Sequence, residues 1–188
     1  KIIDLAPDSE FINFKIDNNF IPKKNVIFNT RSDRNLHFLL DCWHDIFKKS
    51  PNSNLFINPP YELNKKDKSS NVIVRKKVDK NELINELNKM KLMLNPGHKG
   101  EVYCLAAEEA REMCIPIVTM GIGSLNERVI HNETGYIAKN RSEFIEYSSK
   151  ILNDDNLYLR LKSNLIKLRG SKNYNKVAKS FLKIFNIN

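Results

Sequence analysis

From residue 25 onward, short apolar runs rich in β-formers alternate with longer stretches whose apolar residues recur at helical spacing. No other feature constrains the fold as much. The runs are NVIFN at 25–29, NLFIN at 54–58, NVIVRKKV at 71–78, KLMLNP at 91–96 and IPIVTM at 115–120. Each has the length and composition of a buried strand. Between the first two, Leu36, Leu39, Leu40, Trp43, Ile46 and Phe47 repeat every three to four residues, which predicts a helix with one buried face ending at Pro51. Asp79 is placed to cap a helix running to Met90, and another helix is expected from Leu105 to Cys114. Strands that alternate with helices are most simply solved by a parallel sheet covered on both faces, with right-handed crossovers, so the expected class is α/β.

The flanks read differently. Residues 1–24, with Pro7, Pro22 and an Asn-rich stretch, predict an irregular entry segment, and PPYELNKKDKSS after the second run predicts a polar loop. A short helix is expected near Leu125 and a turn with a small strand in NETGYIA at 132–138. From Arg141 onward helices are expected, broken near Asn153 and Gly170, the last of them amphipathic and basic around VAKSFLKIF. The expected organisation is an entry segment at 1–24, one domain at 25–170 and a terminal amphipathic helix at 171–188. That helix packs on its own domain, on a neighbour, or against a membrane surface.

Composition narrows the class of function. Apolar residues make up 41% and charged residues 28%, as in packed globular domains, and no run is long and apolar enough for a membrane span. The formal charge of +9 comes from lysines spread along the chain, without the basic stripe interleaved with aromatics that nucleic-acid binding requires, so no nucleic-acid partner is expected. Three cysteines without CxxC spacing suggest a reducing cytoplasm and no structural zinc. The first residue is Lys1 rather than Met, and the expectation is a piece of a longer protein.

In an open parallel sheet ligands bind beyond the carboxyl ends of the strands. Four such loops are chemically loaded: TRSDRN, PPYELNKK, PGHKGEVYC and GIGSLNE. In PGHKGEVYCLAAEEA the loop is followed by a helix whose first N–H groups, around Tyr103 to Ala106, form a ready anion site. A carboxylate beside an anion is better used on sugar hydroxyls than on phosphate, which suits Glu101. Glu108 and Glu109 follow one turn into the helix, and helical stacking does not choose between them because Glu101 stands in the loop.

The segment resembles the E-x7-E signature of retaining glycosyltransferases of the GT-B fold, family 4 type, written P-S-x-x-E-x-F-G-x-x-x-x-E-A. Pro96, Glu101, Tyr103, Glu109 and Ala110 match it in order. IPIVTM and GIGSLNERVIHNETGYI are similar to the strand and the G-x-x-E-x-V segment that follow, and SDRNLHFLLDCWHDIFKKSPNSNLFI resembles the family's first loop and helix. The resemblance spans roughly residues 25–140 and implies the Rossmann-like, carboxyl-terminal half of a GT-B fold that binds a nucleotide-diphosphate sugar. It further implies that Arg34 with Thr30 meets the diphosphate, that Tyr103, Cys104 and Leu105 approach the phosphates or sugar, and that Glu109 takes the ribose. Glu101 would contact the transferred sugar with a catalytic role, and Glu108 would face water. His98 and Glu127 are further candidates. No metal is expected, since no Asp-x-Asp pair sits on a strand-end loop. The implied partner is an amino-terminal acceptor domain, with cytoplasmic location and peripheral membrane contact as expectations. Cys104, Asn35 and Cys114 replace family glycines. Cys104 and Asn35 keep open a non-catalytic scaffold domain, and a nucleotide-sugar epimerase of similar architecture is the other alternative.

Overall fold

The computed structural model describes residues 5–185. Six strands, β1 (Asn25–Phe28), β2 (Asn54–Ile57), β3 (Val72–Val74), β4 (Leu92–Leu94), β5 (Ile117–Thr119) and β6 (Gly135–Ile137), form one sheet in the order β3-β2-β1-β4-β5-β6. All neighbours pair in parallel. Each of the five expected runs contains a strand, though in the run at 71–78 only Val72–Val74 pairs, and NETGYIA supplies the sixth.

Strand period places the core on both faces. Val26, Phe28, Leu92, Leu94 and Val118 face one apolar cluster, while Ile27, Met93 and Ile117 face the other. The first cluster is closed by α2 (Leu36–Lys49) and α6 (Arg141–Asn153); Trp43 on α2 is fully buried in it, its indole N–H donating to the Ser70 carbonyl at 2.7 Å. The second is closed by α4 (Lys80–Leu87) and α5 (Leu105–Glu112). Next, α7 (Asp155–Leu168) packs on α5 and α6, and α8 (Tyr174–Ile184) ends the described chain with no buried residue.

Two segments depart from the sequence reading. The entry segment contains a short helix, α1 (Ser9–Asn13), and the loop after β2 contains another, α3 (Lys65–Ser69). Phe11 on α1 is fully buried in the second cluster, so α1 is held by tertiary burial rather than by propensity. Arg169 donates to the carbonyls of Phe11, Ile12 and Phe14, and Lys162 to those of Asp17 and Phe20, tying the segment to the end of the sheet domain. The second helix, α3, forms because Asn64 and Asp67 make a reciprocal cap. Residues 1–4 of the entry segment and 186–188 of the terminal helix lie outside the described residues.

The strand order carries the functional consequence. After β1 the chain moves outward through β2 and β3, then returns to β4 beside β1 and moves the other way. Loops after β1 and β4 therefore diverge to opposite faces and leave a crevice at the carboxyl edge, where ligands of such sheets bind.

Candidate functional site

Both chains leaving the crevice enter helices through a left-handed residue. Asn35 precedes α2 with φ 64° and Cys104 precedes α5 with φ 59°, and neither supplies a side-chain cap. The other described helices of eight residues or more are each capped by a side chain: Asp79, Asn140, Asp154 and Asn173 accept from the third backbone N–H of α4, α6, α7 and α8. Two helix ends are thus left open to an external acceptor, and they are the two that face the crevice.

The left-handed geometry also accounts for the sequence departures. Asn35, Cys104 and Cys114 stand where glycine is expected, and all three hold positive φ. The backbone path that glycine would permit is kept without glycine. Asn adopts it readily, while at Cys104 it costs roughly 1–2 kcal/mol. The Cys104 side chain is buried, with its Sγ 3.5 Å from the Asn95 amide, so it turns into the interior. Burial raises all three thiols to about 11, which makes them inert.

Around these two helix ends the structure brings together Arg34, His98 and Glu101. Arg34 Nη1 lies 2.9 Å from His98 Nδ1, and its Nε lies 3.7 Å from the Glu101 carboxylate. The Gly100 N–H also donates to His98 Nδ1 at 3.0 Å. With two donors converging on it, Nδ1 is the acceptor, so the ring proton sits on Nε2 and that nitrogen can donate to a ligand. The loop is held from β5 by close backbone packing. A side chain at Gly123 would meet the His98 carbonyl at 2.5 Å, and one at Gly97 would meet the Ile122 carbonyl at 2.6 Å. Asn35 donates to the Gly97 carbonyl and so ties the two crevice loops together.

The acid pair separates in an unexpected way. Glu108, expected in water, is 1% exposed and surrounded by cations: Arg111 at 2.7 Å, Arg128 at 3.1 Å and Lys172 at 2.9 Å. Its role is structural, because α7 and the approach to α8 fold over that face of α5, a contact no local pattern announces. Glu109 is half-buried, and among the described residues no side chain pairs with it. Desolvation, reinforced by the Asp8 charge, pushes its carboxyl up to about 7. An acceptor held without a partner is suited to ligand hydroxyls.

The remaining candidates are placed as follows. Thr30 is half-buried after β1, its carbonyl receiving the Asn58 amide at 3.3 Å. The Tyr103 ring lies under the Arg128 guanidinium at 4.2 Å and its hydroxyl donates to the Leu5 carbonyl, so its side chain packs on the entry segment. Leu105 is exposed at the start of α5. Glu127 is exposed, 3.9 Å from Arg128, and does not join the Arg34 cluster. Arg75, Asn29 and Asn58 were not singled out by sequence. They line a cavity of about 390 Å³ at the ends of β1, β2 and β3, together with Lys76, Lys77, Val78 and Leu83. The basic triplet closing the third strand run was the available signal.

A doubly wound parallel sheet with two uncapped helix ends at its switch point defines a Rossmann-like domain, and it matches the carboxyl-terminal domain of GT-B glycosyltransferases. By sequence, residues 23–168 match the family model described as glycosyl transferases group 1, and the chain belongs to that family. No curated protein matches it by sequence. Among solved structures, the Anabaena protein HepE in complex with UDP is similar with a TM-score of 0.80 at 14% identity, covering 99% of this chain and 57% of that one. TarM of S. aureus, in complex with fondaparinux, alpha-GlcNAc-glycerol and UDP, gives 0.75 at 17%, covering 92% and 37%. The carboxyl-terminal domain of LpcC, a group 1 family glycosyl transferase from Francisella tularensis, gives 0.66 at 18%, covering 91% and 98%. The chain thus spans between about a third and a little over half of the two longer relatives, and nearly all of the isolated domain. No described helix is long and apolar enough to cross a membrane.

Proposed function

We propose that the chain is the donor-binding half of a retaining glycosyltransferase of the family 4 type, and that it takes a nucleotide-diphosphate sugar. The observation that carries this reading is the pair of uncapped helices at the switch point, with Arg34, His98 and Glu101 beside them and Glu109, which pairs with no described side chain, one turn into α5. UDP bound to HepE and TarM, two proteins similar in fold, agrees with it.

In this arrangement the base occupies the cavity at the ends of β1–β3 and the ribose hydroxyls donate to Glu109. The diphosphate meets Arg34, Thr30 and the first N–H groups of α5, from Cys104 onward. As the bond between sugar and diphosphate breaks, negative charge grows on the leaving oxygen. A fixed guanidinium and preorganised N–H groups stabilise that charge without reorganisation, and no metal is assigned to this step. Glu101 and the Nε2–H of His98 bracket the transferred sugar, the carboxylate accepting from its hydroxyls and the imidazole donating to them. The acceptor belongs on a second domain, and the α8 face could meet that domain or a membrane surface. The retaining class rests on the spacing of Glu101 and Glu109, which resembles the family signature.

Calorimetry with UDP, GDP and their sugars, with and without EDTA, tests this directly. Binding that is EDTA-insensitive and lost in Arg34→Ala is expected; no heat from any nucleotide at millimolar concentration overturns the reading. The anomer formed by an enzyme form carrying an acceptor domain, read by NMR, checks retention.

A further inference from the structure

The base cavity has walls whose hydrogen-bonding sense is fixed by one buried arginine. Arg75, only 8% exposed, closes the end of β3. Its Nε donates to Glu86 on α4 at 3.0 Å and its Nη2 donates to the same carboxylate. Its Nη1 donates to the Oδ1 atoms of Asn29 at 2.8 Å and Asn58 at 2.6 Å. An arginine has only donors, so both amides must turn their oxygens toward it and their Nδ2 groups away. For Asn58 the outward Nδ2 is taken up by the Thr30 carbonyl. Among the described residues no protein acceptor meets the Asn29 Nδ2, and Asn29 lines the cavity. Lys76 and Lys77, the other polar side chains on the wall, are also donors.

We propose that Arg75 is a positioning residue that makes the side-chain wall of this cavity donor-only, so that the site selects nucleotides whose base presents carbonyl oxygens over their amino counterparts. The proposal rests on the reading of this cavity as the base site. Uracil and cytosine differ at one edge: uracil offers O4, whereas cytosine places an N–H2 against another donor. Hypoxanthine and adenine differ in the same sense. A buried donor left facing a donor loses its hydrogen bond, and sites built this way discriminate strongly.

Calorimetry on the 188-residue chain with the matched pairs UDP/CDP and IDP/ADP tests it. UDP is expected to bind about 10–100-fold more tightly than CDP, and IDP more tightly than ADP, the range that one unmet hydrogen bond implies. The decisive variant is Asn29→Asp. One carboxylate oxygen stays on Arg75 while the other replaces the cavity-facing N–H2, so the UDP-over-CDP ratio should fall below one at an unchanged melting temperature. A loss of stability alone would not invert that ratio. Arg75→Gln releases both amides and should bring the ratio toward one. Equal affinity for UDP and CDP in the parent chain, or an unchanged ratio in Asn29→Asp, overturns the proposal while leaving donor binding standing. Failure of all four nucleotides to bind overturns the donor-site reading itself.

Discussion

At the scale of single residues, the adjacent acids Glu108 and Glu109 show how little sequence spacing alone decides. Glu108 is enclosed by Arg111, Arg128 and Lys172, so Glu108→Gln leaves three cations without their shared anion. It should lower unfolding stability by about 3 kcal/mol in denaturant titration. Glu109 has the opposite character. Its carboxyl is raised to about 7, so between its ordinary value of 4.5 and 7 the folded state binds more protons than the unfolded one. Stability therefore falls as pH rises through that window. Glu109→Gln removes the penalty and should stabilise the chain by about 1–3 kcal/mol at pH 8, while weakening UDP binding about tenfold or more. If Glu109 takes the ribose as proposed, its hydroxyls donate to the ionised form, and UDP affinity of the parent should rise with pH through 7, against the trend in stability. The same sign in both titrations would show that Glu109 does not meet the ribose. The reading of Glu108 as facing water fails because Arg128 and Lys172, distant in sequence, close over that face of α5, and no local pattern carries that contact.

Elements were the most legible level. Apolar period located five strands and the long helices, and Asp79 was recognisable as a cap, because these signals are local and repeat over many residues. The short helices α1 and α3 were missed for the converse reason. Five residues carry no period, and α1 exists because Phe11 is buried by distant chain. Capping separates α4, α6, α7 and α8, each closed by a side chain, from α2 and α5, whose ends the proposed function gives to a ligand. Asp154→Ala should cost about 1 kcal/mol of stability, as loss of an ordinary cap does, with UDP affinity unchanged. The bare ends of α2 and α5 offer no side chain to remove. There the matching test is ligand-side: UDP should stabilise the chain against heating more than uridine does, since only the diphosphate can take the open N–H groups.

For the molecule as a whole, the sheet domain is closed on both faces whereas α8 buries no residue and shows Phe181, Leu182 and Ile184 to solvent, with Phe185 just beyond its end. Removing the chain from Tyr174 onward should shift unfolding stability by less than about 1 kcal/mol, because little apolar area returns to water. Arg169→Met, by contrast, strips three carbonyl partners that hold the entry segment and should cost about 2–4 kcal/mol. The sequence by itself determined the α/β alternation and the family, since both are written in local periodicity and ordered short motifs. Only the tertiary structure decided which acid is buried, that Arg75 meets Asn29 and Asn58 at one cavity, and that Asn35 and Cys104 keep a glycine-like backbone. Each of those depends on groups far apart in the chain meeting in a dry interior, where a charge or amide takes its role from its partners and not from its neighbours in sequence.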